Sequence, residues 1–174
     1  MKFRRALVVC LAVLPVLVVA GYAAAGGRGP MDGAAPATAR FHDLDAAVAA
    51  GYSVRVADIN GVTCIAQPGA GAMGVHMLNP ALLDTTIDPD APELLVYEPQ
   101  NDGLKLVALE YLVFKDAWDA THSAPPALFG QEFPVTASPN RYGLPSFYAL
   151  HAWIWKENPS GLFSAWNPRV DCGS

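Results

Sequence analysis

Residues 93–114 constrain the fold more than any other stretch of this chain. Segment 93–98 (ELLVYE) is aliphatic and aromatic, 99–103 (PQNDG) carries turn chemistry, and 104–114 (LKLVALEYLVF) is a long apolar run. Two strand-like runs joined by Asn, Asp and Gly predict an antiparallel hairpin. A return strand of that length leaves backbone groups unpaired unless further strands flank it. The hairpin therefore belongs inside a larger sheet.

Shorter strand signals supply those neighbours. Residues 52–57 alternate around Val54 and Val56, Asn60-Gly61 marks a turn, and 62–66 is a second short run carrying Cys64. A glycine-rich stretch at 68–74 leads into a strand over 74–78 that holds His76. It lacks the Lys-Ser/Thr and the long helix of a phosphate loop, so its glycines mark close approach of a ligand or another backbone. Pro80 opens one helical turn, and 84–92 is an acidic loop. Residues 128–135 read as an edge strand, confined to a sheet margin by Pro134. Residues 147–155 are apolar on both faces and predict a buried central strand. The tail over 158–168 carries two Asn-Pro steps and the last tryptophan. One helix is expected, over 40–50, from the spacing of Phe41, Leu44, Ala47 and Val48, with Thr38 as its cap and Gly51 as its stop. The order of elements gives an α+β class: a mostly antiparallel sheet, curved or barrel-like, one N-terminal helix, and a Trp/Pro-rich C-terminal closing loop.

The first 25 residues stand apart. Lys2, Arg4 and Arg5 precede an apolar run over 6–20, and Ala23, Ala24 and Ala25 offer a cleavage site. This is the pattern of a secretory signal peptide. Pro15 interrupts the run, which argues against a stable membrane anchor. Residues 26–38, of Gly, Ala and Pro, read as a flexible linker, and 39–174 as a single globular domain. Of 11 basic and 16 acidic residues the leader takes three basic ones, so cleavage leaves eight against 16, a net charge of -8. Such a surface repels phosphate backbones and anionic headgroups, which disfavours nucleic acid and anionic membranes as partners. Two cysteines remain, Cys64 and Cys172. In an exported chain they predict a disulfide. A shared metal is the competing use of the two thiols, and no nearby CxxC or CxxH supports it.

Strand periodicity singles out the ionisable residues. Alternation from 104 to 114 puts Glu110 on a face with Leu104, Leu106, Ala108, Leu112 and Phe114. A carboxylate among aliphatic side chains is costly unless it is paired, protonated or bound to a cation. His151 shares its face with Phe147, Ala149, Trp153 and Trp155, and His76 lies beside Gly74 and Leu78. If their strands are neighbours, His76, Glu110 and His151 converge into a two-histidine, one-carboxylate set, the ligand set of non-haem iron and of some zinc sites. Spacings of 34 and 41 residues carry no motif of their own. The bland reading of the same residues is a hydrogen-bonded structural Glu and two core histidines. His42 and His122 fall in solvated positions. Trp153, Trp155, Phe163, Trp166 and Tyr148 read either as core or as the lining of an apolar pocket. No Gly-x-Ser-x-Gly is present, so nothing supports a serine nucleophile, and whether the domain is an enzyme stays open. The expectation is an exported domain that binds a divalent metal or a small ligand, or else a non-catalytic structural or interaction domain whose buried His and Glu stabilise the fold.

The segments GAMGVHMLNP, PELLVYEP, LVALEYLVF, LFGQEF and LHAWIWKENPSGLFSAWNP, with Cys172, span most of the chain from Gly51 onward. Together they resemble a family of secreted bacterial proteins. The resemblance implies one exported domain, and it assigns no activity to any residue.

Overall fold

The computed structural model describes Met31 and residues 33–173. The leader, its cleavage point and part of the expected linker (26–30 and 32) lie outside the described residues. Among the described residues three short helical pieces come first: α1 (Ala34–Thr38), a 3-10 turn (Ala39–His42) and α2 (Leu44–Ala49). The first of these pieces falls within the stretch expected as linker. Ala34 and Thr38 are buried, and the Thr38 hydroxyl donates to the Ala34 carbonyl. The expected single helix is broken by extended backbone at Asp43, whose side chain accepts from Asp45 N and Ala46 N and caps α2 in place of Thr38.

Nine strands follow: β1 (Val54–Arg55), β2 (Cys64–Gln67), β3 (Gly71–Leu78), β4 (Leu94–Gln100), β5 (Gly103–Phe114), β6 (Ala127–Leu128), β7 (Gln131–Glu132), β8 (Val135–Thr136) and β9 (Phe147–Ala152). A third helix, α3 (Lys115–Asp119), leaves the end of β5, so helix is not confined to the N-terminal end. The main sheet runs β1-β3-β4-β5-β9-β8, with β2 also on β3, and every pairing is antiparallel. β4 and β5 are the expected hairpin, closing at Gln100 opposite Gly103. The α+β class holds, but the barrel alternative does not. The outer strands β1 and β8 have two residues each, and the path ends on them without joining, which leaves an open sheet. The predicted 128–135 strand is instead the β6–β7 hairpin followed by β8, which sits at the sheet margin as Pro134 requires.

The two faces of the sheet are covered differently. One carries the main core, where Val75, Met77, Leu95, Tyr97, Leu109, Tyr111 and Leu150 pack with Ala34, Phe41, Ala47 and Tyr52 from the N-terminal segment. The other carries two smaller clusters, one around Leu94, Leu112 and Phe147 and one around Val96, Ala108 and Trp153. Loop residues Tyr142 and Leu144 cover the first, and Val170 and Cys172 the second.

β9 ends at Ala152, earlier than expected. Trp153 N donates to Leu162 O and Trp155 N to Val107 O, so the chain leaves the ladder for the closing segment. That segment is held by its two Asn-Pro steps. Asn158 donates to Trp166 O and accepts from Ser160 N. Asn167, fully buried, exchanges two backbone hydrogen bonds with Ala72. Gly71 makes this approach possible: a Cβ there would lie 2.2 Å from Asn167 O. Cys64 and Cys172 form the expected disulfide, which ties the closing segment to β2.

Candidate metal centre

Sheet register brings the three candidate residues together. Glu110 on β5 is directly opposite His151 on β9. His76 on β3 is opposite Val96, which is opposite Ala108, two residues from Glu110 along the same face. All three side chains meet on the loop-covered face, and all are buried, at 3%, 7% and 5% exposure for His76, Glu110 and His151. His76 Nε2 lies 3.2 Å from His151 Nε2 and 3.3 Å from a Glu110 carboxylate oxygen. His151 Nδ1 lies 3.9 Å from the other Glu110 oxygen. One ligating atom from each residue falls within 4.8 Å of the others, the one such cluster among the described residues.

Two β-bulges shape this site, and strict alternation along the strands missed both. On β5 the register steps at Val107, because Val96 faces Ala108 while Tyr97 faces Leu106. Leu104 and Leu106 thereby turn to the main core, and Val107 joins Ala108 on the loop-covered face. The face predicted for Glu110 is correct from Ala108 onward and wrong before it. On β3 the step falls at Met73, since Ile65 faces Gly74 and Ala66 faces Ala72. Bulges re-aim side chains, and this one turns Met73 to the wall of a cavity that also holds His151. Gly74 next to it has φ +105°, and a Cβ there would lie 2.5 Å from Tyr97 O, so the site's approach to β4 needs glycine. The glycine run thus serves close backbone packing, one of its two predicted uses.

Electrostatics follow from burial. Desolvation raises the Glu110 carboxyl to about 8, with the Glu93 carboxylate adding to the effect. It lowers His76 to about 4, the Gly74 backbone opposing, and lowers His151 to about 3, His76 contributing. Near neutral pH the metal-free cluster is uncharged: one carboxylic acid and two neutral imidazoles. His76 Nδ1 is buried and has no hydrogen-bond partner among the described residues. A proton held on Nδ1 leaves the Nε2 lone pair facing Glu110 and His151, the arrangement that metal-ligating histidines use.

Two of the three separations suit an ion as well as a hydrogen-bonded cluster, and the third ligating pair lies within 4.8 Å. Two donors at about 2.0–2.1 Å from a zinc ion, tetrahedrally disposed, are about 3.3–3.4 Å apart. The two shortest separations here are close to that edge length. Two cavities adjoin the cluster. One, of about 110 Å³, touches His76 and Glu110 and is otherwise lined by apolar side chains and Tyr142. The other, of about 130 Å³, touches Glu110 and His151 and is bordered by Met73, Thr136 and Phe163. Tyr142 borders both. Its hydroxyl lies 3.9 Å from Met73 Sδ and is raised to about 12, by burial first and by the Glu110 carboxylate second. Sequence patterning gave Tyr142 no role, because it sits in a loop with no period.

The other singled-out residues lie elsewhere. His42 is exposed and packs edge-on against Trp155, and His122 is exposed and stacks on Trp118. Trp153 is core, with its indole N–H donating to Ser164 O. Phe163 is the member of the C-terminal aromatic set that reaches a cavity beside the cluster. No family model, curated protein or solved structure matches this chain. The functional reading therefore rests on the site itself.

Proposed function

We propose that this is an exported domain in which His76, Glu110 and His151 hold a divalent transition-metal ion, with open coordination positions facing the adjoining cavities. The observation that carries the reading is the meeting of two buried imidazoles and one buried carboxyl at 3.2 and 3.3 Å, beside cavities that a further ligand can enter. Structural zinc sites are closed by four protein ligands, whereas three ligands with a free position mark sites that bind something else as well. Export is supported by the Cys64–Cys172 disulfide, by the leader pattern in the sequence and by the resemblance to secreted bacterial proteins. No helix among the described residues is long and apolar enough to cross a membrane.

A second reading has one observation in its favour. The 3.2 Å contact between the two imidazoles is also hydrogen-bond length, so the cluster can be a metal-free polar core that stabilises the fold. Metal analysis separates the two. Protein purified without added metal and titrated with zinc or cobalt(II) takes up one ion per chain on the metal reading. Loss of an outer-shell partner alone weakens metal sites by about 10–100-fold, so Glu110→Gln and His151→Ala should weaken binding by about 100-fold or more. Absence of stoichiometric uptake by folded wild-type protein would leave the polar-core reading standing.

A further inference from the structure

The cavity on the His76 side is a container of defined chemistry. Val56, Leu78, Leu94, Leu112, Leu144 and Phe147 are among its walls, and its polar surface comes from His76, Glu110 and Tyr142. Neither of the flanking ion pairs, Arg141–Asp58 and Lys156–Glu98, contributes a lining side chain. Glu93, the next buried carboxyl, is engaged by the Leu112 amide and does not line the cavity. An occupant is therefore hydrocarbon over most of its surface and polar at one end, where it meets the cluster.

Charge decides the kind of polar end. A divalent ion held by one carboxylate and two neutral imidazoles leaves a net charge of about +1 in a water-poor site, and a buried net charge is costly until it is matched. An anionic oxygen donor supplies the match and fills an open coordination position at once. Size decides the rest: a cavity of about 150 Å³ lined by aliphatic residues accommodates benzene, and this one is about 110 Å³. We infer that the metal-loaded site binds a short aliphatic monocarboxylate of about four to six carbons, its carboxylate on the metal and its chain in the cavity beneath Leu144. This rests on the metal reading proposed above.

Cobalt(II) is the probe, because its visible absorption reports the ligand set. Adding cobalt(II) alone to the full mature chain tests the metal site, and absence of one bound ion per chain overturns both proposals. With one ion bound, pentanoate should change the absorption in a saturable way, while 1-pentanol and pentylamine should bind at least tenfold more weakly. Leu83 also lines this cavity, and like Leu144 it lies outside the strands, so Leu144→Phe and Leu83→Phe crowd the cavity without altering the sheet. Either should weaken pentanoate at least tenfold with cobalt content unchanged. The ligand inference is overturned, and the metal reading kept, if pentanoate leaves the cobalt spectrum unchanged. The same holds if the alcohol or amine binds as well as the acid, or if both crowding variants, folded and cobalt-loaded, bind pentanoate like wild type.

Discussion

Glu98 and Glu110 are both buried carboxylates on neighbouring strands, and their surroundings differ in kind. Glu98 accepts two hydrogen bonds from Lys156 Nζ, at 2.6 and 2.7 Å, and one each from Gln100 Nε2 and the Asp171 amide. Its charge is matched by a resident cation, and the contact fastens the closing segment to the hairpin. Glu110 faces two histidines that burial keeps neutral, and among the described residues no Lys or Arg reaches it. One carboxylate is complete within the protein. The other is complete only with a proton or a cation from outside. Buried polar groups with a full set of partners stabilise a fold, whereas incompletely matched ones mark sites.

The largest way to disturb the closing end is to cut its covalent tether. Cys64 and Cys172 are 108 residues apart, and a loop of that order is worth about 5 kcal/mol in the chain-entropy model. Replacing both by Ser should lower the urea midpoint accordingly. Metal affinity should change little, since neither cysteine lies among the three converging residues. A large loss of metal binding in the folded double variant would show that the site depends on the tether, and would end the separation of the two regions.

Substituting Glu98 by Gln is the next step down. It leaves Lys156 without its anion, and breaking a buried pair costs about 3–5 kcal/mol when both partners are enclosed. Lys156 is about a quarter exposed and regains water, so a loss of about 2 kcal/mol is expected. Urea denaturation at neutral pH measures it. An unchanged midpoint would mean that the pair is not what holds the closing segment to the hairpin.

Much of this contrast could be read from the sequence, and the unread part has a physical cause. Alternation in a long strand identified Glu110 as misplaced among aliphatic neighbours, and the same logic set His151 on an apolar face of its own strand; that these strands and the one carrying His76 lie side by side came from the sheet pairing. Cys64 and Cys172 were paired by compartment and count. What escaped were the two bulges. A bulge shifts the register by one residue for reasons that lie in the partner strand, so local period cannot show it. Leu106 therefore changed faces without a signal, and Met73, read as part of the glycine-rich stretch, was given no face at all. Tyr142 escaped because loops have no period at all. Glu98 drew no notice because Lys156 is 58 residues away in sequence. The barrel-like alternative failed because closure depends on the two outermost strands, here two residues each.

The smallest expected effect is the most discriminating, and it lies in the pH dependence of the metal-free protein. Burial holds the folded-state Glu110 carboxyl at about 8 and that of Glu93 at about 7, above the ordinary carboxylate value of 4.5. His76 and His151 are pushed the other way, to about 4 and about 3, below their ordinary 6.5. For a raised carboxyl the folded state keeps a proton that the unfolded chain has lost, so stability falls as pH rises from about 4.5 through the folded value. For a lowered histidine the unfolded chain takes up a proton that the folded state refuses, so stability falls as pH drops below about 6.5. The two trends oppose below about 6.5. Between about 6.5 and 8 only the carboxyls act, and stability should decline by about 1 kcal/mol per pH unit. Glu110→Gln should flatten that decline beyond about pH 7, and Glu98→Gln should leave its slope as it is. Saturating zinc should reverse the trend, because binding requires the deprotonated carboxyl and strengthens as protons leave. Thermal or urea unfolding across this window, with chelator and with zinc, reads all three. A decline that persists unchanged in Glu110→Gln would assign it to other groups, and would place Glu110 with Glu98 as an ordinary matched carboxylate.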